Sequence, residues 1–366
     1  MTAGGNGERI AVAQIIGNSA LGGVAACVLN YYEHMDRSRY RFDFFTYAPS
    51  SFDERVRKID PQSRILTIPS LDKKFYKAVP ALRKLLAAGG YSIAHSHMTT
   101  LSAFALYAAK SAGVPVRVCH AHSTFDRQSD HYFIKAALRP FADIFATHRM
   151  ACGRAAAENL FRNRADRAVI LPNAIDLSRF SAGGEQAKRE LGLSGRILLF
   201  VGRFAHQKNL SFLLDAFAKA RETGGDMTLV LVGDGPLREN LRAHAEKLHL
   251  YDSVRWVPPC DPAPYYRAAD AFCLPSLYEG FPVVGVEAQA SGLPCLLSEK
   301  VTREADISGE NVFLPLDADV WAAELVKPRA KTENAAQVLR EKHFDIRAEA
   351  DRLASFYDAA TGNTPR

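Results

Sequence analysis

The chain has 366 residues, 48% hydrophobic and 23% charged, with a formal net charge of +6. That length exceeds what one core usually serves, so two domains are expected in an ordinary soluble globular protein. No apolar run approaches the roughly 18 residues of a membrane span, and six cysteines without a Cys-x-x-Cys pair argue for buried reduced thiols in a cytoplasmic protein.

In chain order, Ile10–Ile16 reads as a buried strand without the flanks of a cleaved signal peptide. A helical pattern over Gly23–Met35 follows, then strands near Phe42–Tyr47 and Ile65–Ile68 and a helix over Val79–Ala88. Next come Ser92–His95 (strand), Leu101–Ser111 (helix) and Val116–Cys119 (strand). The stretch 173–184 is polar and turn-rich and reads as a linker, after which the pattern restarts. Ile197–Val201, Thr228–Val232, Val254–Val257, Ala271–Leu274 and Cys295–Leu297 read as strands with helices between them. This alternation predicts parallel sheets, whose ligands sit beyond the carboxyl ends of the strands.

Charge is uneven. Residues 1–177 hold 23 Lys+Arg against 14 Asp+Glu, a balance of +9, which leaves −3 for the remainder. A basic first half suits an anionic partner such as a membrane surface, a lipid phosphate or a nucleic acid, and equally suits a generally soluble surface.

Motifs that follow strands carry the chemistry. After Ile197–Val201, Arg203 and Lys208 place two cations near one loop, where they could neutralise a diphosphate or simply be solvated. After Ala271–Leu274, Pro275–Pro282 reads as a loop and Val283–Ala290 as a helix start, so that the run Leu277-Tyr278-Glu279-Gly280-Phe281-Pro282-Val283-Val284-Gly285-Val286-Glu287 spans loop and first helical turn. The free amides at that helix start suit an anion. Gly22 and Gly23 follow the first strand and could bring backbone close to a ligand or form an ordinary turn; neither a Gly-x-Gly-x-x-Gly nor a Walker-type loop is present. His95 and His97, and likewise His120 and His122, are spaced to face the same way on extended chain. They could bind a metal, but no acidic ligand motif accompanies them, so hydrogen bonding to the hydroxyls of a ligand is the preferred reading. Asp317-Ala318-Asp319 resembles a metal-binding Asp-x-Asp string, yet its place before a helix fits capping better.

With these residues in place, the chain resembles glycosyltransferase family 4 over nearly its full length, and within it the exopolysaccharide and capsular-polysaccharide transferases. The matching strings are Leu21-Gly22-Gly23-Val24 with Asn30-Tyr31-Tyr32, His95-Ser96-His97, and His120-Ala121-His122-Ser123. Gly202-Arg203-Phe204 with Gln207-Lys208-Asn209, Val232-Gly233-Asp234-Gly235-Pro236, Pro275 to Pro282 and Glu287 to Gly292 complete the set. The resemblance implies an α/β protein of GT-B architecture, two Rossmann-like parallel-sheet domains facing across a cleft. Residues 1–175 would form the acceptor-binding domain and 176–345 the donor domain, while 346–366 would send a helix back to the first domain. It implies donor contacts from Gly23, Arg203, Lys208, Gly280, Phe281, Pro282, Val283 and Glu287, with Glu287 on the ribose. His122 and Glu279 would serve the reacting centre, and Gly22, His95, His97 and His120 would touch acceptor or donor.

The implied reaction retains anomeric configuration without metal or cofactor. It moves a hexose-type sugar from a nucleotide sugar, a UDP-sugar for choice, to a glycan or lipid-linked glycan in cell-surface polysaccharide synthesis. The implied place is the cytoplasm, with peripheral contact of the basic domain at an anionic inner membrane face and no nucleic-acid partner. Ala174 stands where many members have Gly, and Trp256-Val257-Pro258-Pro259 replaces a common turn near the expected base site. The same fold also admits a nucleotide-sugar epimerase, a sugar phosphorylase or a non-catalytic sugar-nucleotide binder.

Overall fold

The computed structural model describes residues 9–17, 23–49, 52–71, 74–125, 131–180, 183–224 and 226–363. Two units emerge, one of residues 1–174 with 346–366 and one of residues 175–345.

The first unit runs β1 (Ile10–Gly17), α1 (Gly23–His34), β2 (Tyr40–Thr46), α2 (Phe52–Ile59), β3 (Ile65–Thr67), α3 (Phe75–Gly89) and β4 (Ile93–Ser96). It continues through α4 (Ser102–Ser111), β5 (Val116–Ala121), α5 (Tyr132–Phe145), β6 (His148–Ala151), α6 (Arg154–Phe161) and β7 (Val169–Ile170). The strands form one parallel sheet in the order β3-β2-β1-β4-β5-β6-β7. β1 lies in its interior, so both of its faces are covered, and its near-continuous apolar run follows from that. Its side chains alternate: Val12 and Ile16 enter one core with Phe42, Phe44, Val28 and Tyr32, while Ala11, Ala13 and Ile15 enter the other with Leu82, Leu86 and Ala105. Gln14 therefore points to the first of these faces and is buried there.

The second unit runs α7 (Gly184–Glu190), β8 (Arg196–Val201), α8 (Leu210–Glu222), β9 (Met227–Val232), α9 (Arg238–Lys247), β10 (Val254–Val257), α10 (Ala263–Ala268) and β11 (Ala271–Leu274). After these come α11 (Val283–Ala290), β12 (Cys295–Ser298), β13 (Val312–Leu314), α12 (Ala318–Leu325) and α13 (Ala335–Glu341). The order β10-β9-β8-β11-β12-β13 repeats the doubly wound pattern of the first unit. Asp317 caps α12 through the amides of Asp319 and Val320, and the indole of Trp321 on that helix donates to the Pro315 carbonyl at 2.9 Å. The boundary between the units, at Ala174 and Ile175, falls in the stretch read as a linker, and its apolar residues are buried: Ala174, Ile175, Leu177 and Phe180, with Phe180 edge-on to Tyr266 at 5.7 Å. Its polar composition hides apolar residues spaced to turn inward.

The final helix, α14 (Ile346–Thr361), belongs to the first unit. Ile346, Ala350, Leu353 and Tyr357 enter the core beneath β1 and β2, and Asp358 accepts from the Tyr40 hydroxyl at 2.6 Å and pairs with Arg39 at 2.7 Å. Five of the six cysteines are buried and Cys260 is exposed. No helix among the described residues is long and apolar enough to cross a membrane. Because α14 holds its place through buried apolar contacts, Leu353→Ala should lower the unfolding free energy by about 2–5 kcal/mol. Urea titration measures this, and a change below about 0.5 kcal/mol would mean that α14 does not dock as described.

Candidate functional site

In each unit the first strand lies beside a strand reached by a crossover to its other side: β1 beside β4, and β8 beside β11. Connections leave such a switch point in opposite directions, so the carboxyl ends of those strands stay open to a ligand. The chemistry-bearing residues lie at these ends.

In the second unit, the chain leaving β8 turns at Gly202 (φ +154°) and passes under the loop that follows β9. Gly233 comes so close that a Cβ there would stand 2.0 Å from the Gly202 carbonyl oxygen. The side chain of Phe204 is buried edge-on to Trp256 at 5.9 Å and anchors the loop, while Arg203 beside it is exposed. Lys208 closes a single 3-10 turn (His206–Lys208). Its ammonium pairs with Glu279, and the Ser276 hydroxyl donates to the same Glu279 oxygen, Oε1, at 2.9 Å. Two further bonds tie the loops, Leu277 N to Gln207 O and Gln207 Nε2 to Tyr278 O, both at 2.8 Å. Arg203 is not part of this linkage among the described contacts.

The segment after Glu279 then enters α11. Pro282 occupies the helix N-cap and has no capping side chain, so the first amides are left for another acceptor. Phe281 and Val283 are buried, Phe281 stacking on Phe344 at 5.5 Å, so this segment offers a ligand its backbone rather than its side chains. Glu287, one turn into α11, is half-buried beside the buried Tyr266, whose hydroxyl donates to the Val284 carbonyl at 3.2 Å and whose pKa is raised well above its usual value by burial and then by the Glu287 carboxylate.

In the first unit, His95 lies on β4 and His120 on β5, with His97 and His122 just past those strand ends. The ring centroids of His95 and His97 are 4.2 Å apart and those of His120 and His122 are 4.0 Å apart. His95 Nε2 lies 3.1 Å from His120 Nδ1, and His97 Nδ1 lies 2.8 Å from His122 Nε2. Gln14 and Tyr357, which sequence reasoning missed, complete the cluster: Gln14 Oε1 is 2.7 Å from His97 Nε2, and the Tyr357 hydroxyl is 2.6 Å from His95 Nδ1. A polar residue inside the apolar run of β1 was a readable signal for Gln14. Tyr357 gave none, being 262 positions from His95. Behind the cluster is a cavity of about 10 Å³ lined by Gln14, His95, His97, His120, Tyr31 and Tyr357 among others, room for about one water. One nitrogen each from His95, His97 and His120 come within 4.8 Å of one another, close enough for a divalent ion. Gly23 opens α1 and is exposed, and Gly22 lies outside the described residues.

Burial holds all four imidazoles neutral, with His95 and His122 lowered from 6.5 to about 3 and His97 and His120 well below 6.5. A neutral buried histidine costs nothing above pH 6.5, where the unfolded chain is also neutral. As pH falls below that value the unfolded chain takes up protons that the folded one refuses. Stability is therefore lost by about 1.4 kcal/mol per pH unit for each such ring, until the folded form itself titrates.

The fold is that of a two-unit, doubly wound α/β protein with its chemistry-bearing clusters at the switch points, where ligands of such sheets sit. Sequence comparison agrees. The model of the family described as "Glycosyltransferase Family 4" matches residues 21–179, and that of "Glycosyl transferases group 1" matches residues 185–340. EpsF of Bacillus subtilis (strain 168), provisionally named a glycosyltransferase, is 32% identical over 97% of this chain and 98% of its own length. The Escherichia coli UDP-Gal:alpha-D-GlcNAc-diphosphoundecaprenol alpha-1,3-galactosyltransferase is 29% identical over 73% of this chain and 72% of its own. HepE of Anabaena, solved with UDP and glucose, superposes with a TM-score of 0.80 at 17% identity, covering 95% of this chain and 99% of its own. The chain belongs to glycosyltransferase family 4, and it is a glycosyltransferase of the GT-B type.

The histidine cluster makes a direct prediction for stability. The slope of unfolding free energy against pH between 4 and 6 should be smaller in His122→Gln than in the parent by about 1.4 kcal/mol per pH unit. Denaturant titrations at several pH values measure it, and equal slopes would mean that His122 is not held neutral.

Proposed function

We propose that the protein is a retaining glycosyltransferase. It moves a hexose-type sugar from a UDP-sugar to a glycan or lipid-linked glycan acceptor, in cell-surface polysaccharide synthesis. The observation that carries the donor reading is the group Lys208, Glu279 and Ser276 beside the uncapped start of α11. An anionic diphosphate suits an ammonium and free helix amides together, and Arg203 adds a guanidinium fork on the same loop. Glu287 would accept from the ribose hydroxyls, and Glu279 with the Gly280–Val283 backbone would hold sugar and phosphate. The solved HepE complexes with UDP and UDP-glucose, and the UDP-Gal donor named for the E. coli relative, support a uridine donor. That relative's diphosphoundecaprenol acceptor supports a lipid-linked one.

In the proposed step the bond from the sugar's anomeric carbon to the diphosphate oxygen breaks as the acceptor oxygen bonds to the same face. The acceptor's proton goes to the departing diphosphate, whose charge Lys208 and Arg203 neutralise. His122, neutral at pH 7, serves a hydroxyl of acceptor or transferred sugar. No metal takes part, and a chelator should leave turnover unchanged.

Thermal unfolding with a panel of nucleotide sugars tests the donor. The right one, at 100 times its dissociation constant, stabilises by about 2.7 kcal/mol, and a panel with no UDP-sugar effect would sink the reading. Glu279→Gln and Lys208→Ala should each lower kcat/KM by about 10²–10³. Full activity in either would mean that the donor site is elsewhere, and an inverted anomer in the product would refute retention.

The membrane part of the proposal rests on α5. Of its fourteen residues only Ala142 and Asp143 are buried, while Phe133 is 85% and Ile134 58% exposed beside Phe141, Ile144, Lys135 and Arg139. Exposed apolar side chains flanked by cations suit the surface of an anionic bilayer. Flotation with phosphatidylglycerol vesicles at low salt should recover the protein, and Phe133→Ser with Ile134→Ser should release it. Equal flotation of both forms would remove α5 from the account.

A further inference from the structure

Six of the eight ring nitrogens of His95, His97, His120 and His122 have partners, whereas His120 Nε2 and His122 Nδ1 are buried without one among the described residues. Proton counting along the chain fixes the character of both. Each neutral imidazole has one N–H and one lone pair, and Gln14 stands where two arms meet. On one arm Gln14 Oε1 can only accept, so His97 Nε2 carries hydrogen. His97 Nδ1 is then an acceptor, so His122 Nε2 donates to it and His122 Nδ1 is left as a bare lone pair.

On the other arm the Gln14 amide donates to the Tyr357 oxygen at 3.3 Å. Burial keeps Tyr357 a neutral phenol, and its single proton goes to His95 Nδ1 at 2.6 Å. His95 Nε2–H donates to His120 Nδ1, and His120 Nε2–H is left as a donor. The two orphan atoms thus have opposite characters on adjacent rings.

We propose that Gln14 and Tyr357 are positioning residues that hold all four histidines as Nε2–H tautomers. His122 thereby presents an acceptor, and His120 a donor, to a ligand hydroxyl. A hydroxyl both donates and accepts, as sugars and polyols do at every carbon that bears one. The ligand half of this inference rests on the glycosyltransferase reading; the tautomers do not. With these tautomers the single unshared lone pair is on His122, so a divalent ion on His95, His97 and His120 would have to break the chain.

The test is nitrogen-15 NMR of the histidine rings in the full chain without ligand, where protonated and bare nitrogens are resolved directly. The expected result is Nε2–H for His95, His97, His120 and His122. Uniform Nδ1–H would overturn the proposal, because it means that the Gln14 amide is reversed and both orphan atoms exchange character. Gln14→Glu offers two acceptors at the junction. Tyr357 must then donate to the new carboxylate, so His95 and His120 switch to Nδ1–H while His97 and His122 keep Nε2–H. Tyr357→Phe preserves the ring packing and removes the proton supplied to His95, so His95 and His120 exchange between tautomers and the other two do not. Unchanged spectra in Tyr357→Phe would remove its positioning role. With the sugar nucleotide selected by thermal protection, Tyr357→Phe should lower kcat about tenfold with donor KM unchanged. An unchanged kcat would overturn the hydroxyl role while leaving the tautomers, read without ligand, to stand on their own result.

Discussion

A strand covered on both faces has no solvent edge on which to place function, and this constraint organises both units. β1 and β8 each lie inside a parallel sheet with helices on either side, so their lengths are given over to apolar packing. Polar groups can be held where such strands stop. The reversal of strand order on either side of β1 and β8 leaves the backbone amides and side chains of the following loops unobstructed. Gly202 and Gly233 show how tight the construction is, since their backbones approach too closely for any side chain between them. The loop bearing Arg203 and Lys208 is thereby held against the loop after β9, and its cations have a fixed base.

The one polar side chain that β1 carries inside its buried length shows what a buried polar group requires. Gln14 is bonded at both ends of its amide, to His97 and to Tyr357. Unpaired, each end would cost about 1–3 kcal/mol. The four histidines are tolerated for the same reason: neutral rings linked to one another lose little on leaving water, whereas one proton added to the group would meet no counter-charge among the cluster's partners. α14 is part of this arrangement, because it supplies Tyr357 from the far end of the chain.

Much of the fold was legible because its signals are local. Short apolar runs bounded by turns located the strands, and the expected helix over Val283–Ala290 coincides with α11. The histidine doublets were also legible, since spacing by two on extended chain places both rings on one face. What sequence could not show is pairing at a distance. Lys208 and Glu279 are 71 positions apart, and nothing in either motif says that one neutralises the other. The polar stretch 173–184 does contain the boundary between the units, but composition reports average polarity and so could not show that Leu177 and Phe180 are buried within it.

The two glutamates that follow β11 occupy different chemical situations, and the difference suits different duties. Both described contacts of Glu279 fall on Oε1, from Lys208 and Ser276. Among the described residues its other oxygen has no partner to compete with a ligand hydroxyl, and an ionised carboxylate accepts hydrogen bonds and donates none. The side chain is also nearly closed off, at 9% exposure, so the acceptor is fixed in direction before any ligand arrives. Glu287 leans instead on a buried phenol that burial prevents from ionising. Tyr266 is a neutral neighbour to it, its own hydroxyl donating to the Val284 carbonyl at 3.2 Å. A carboxylate one helical turn from the uncapped start of α11 is matched to the ribose diol of the proposed donor, with its phosphates at those amides.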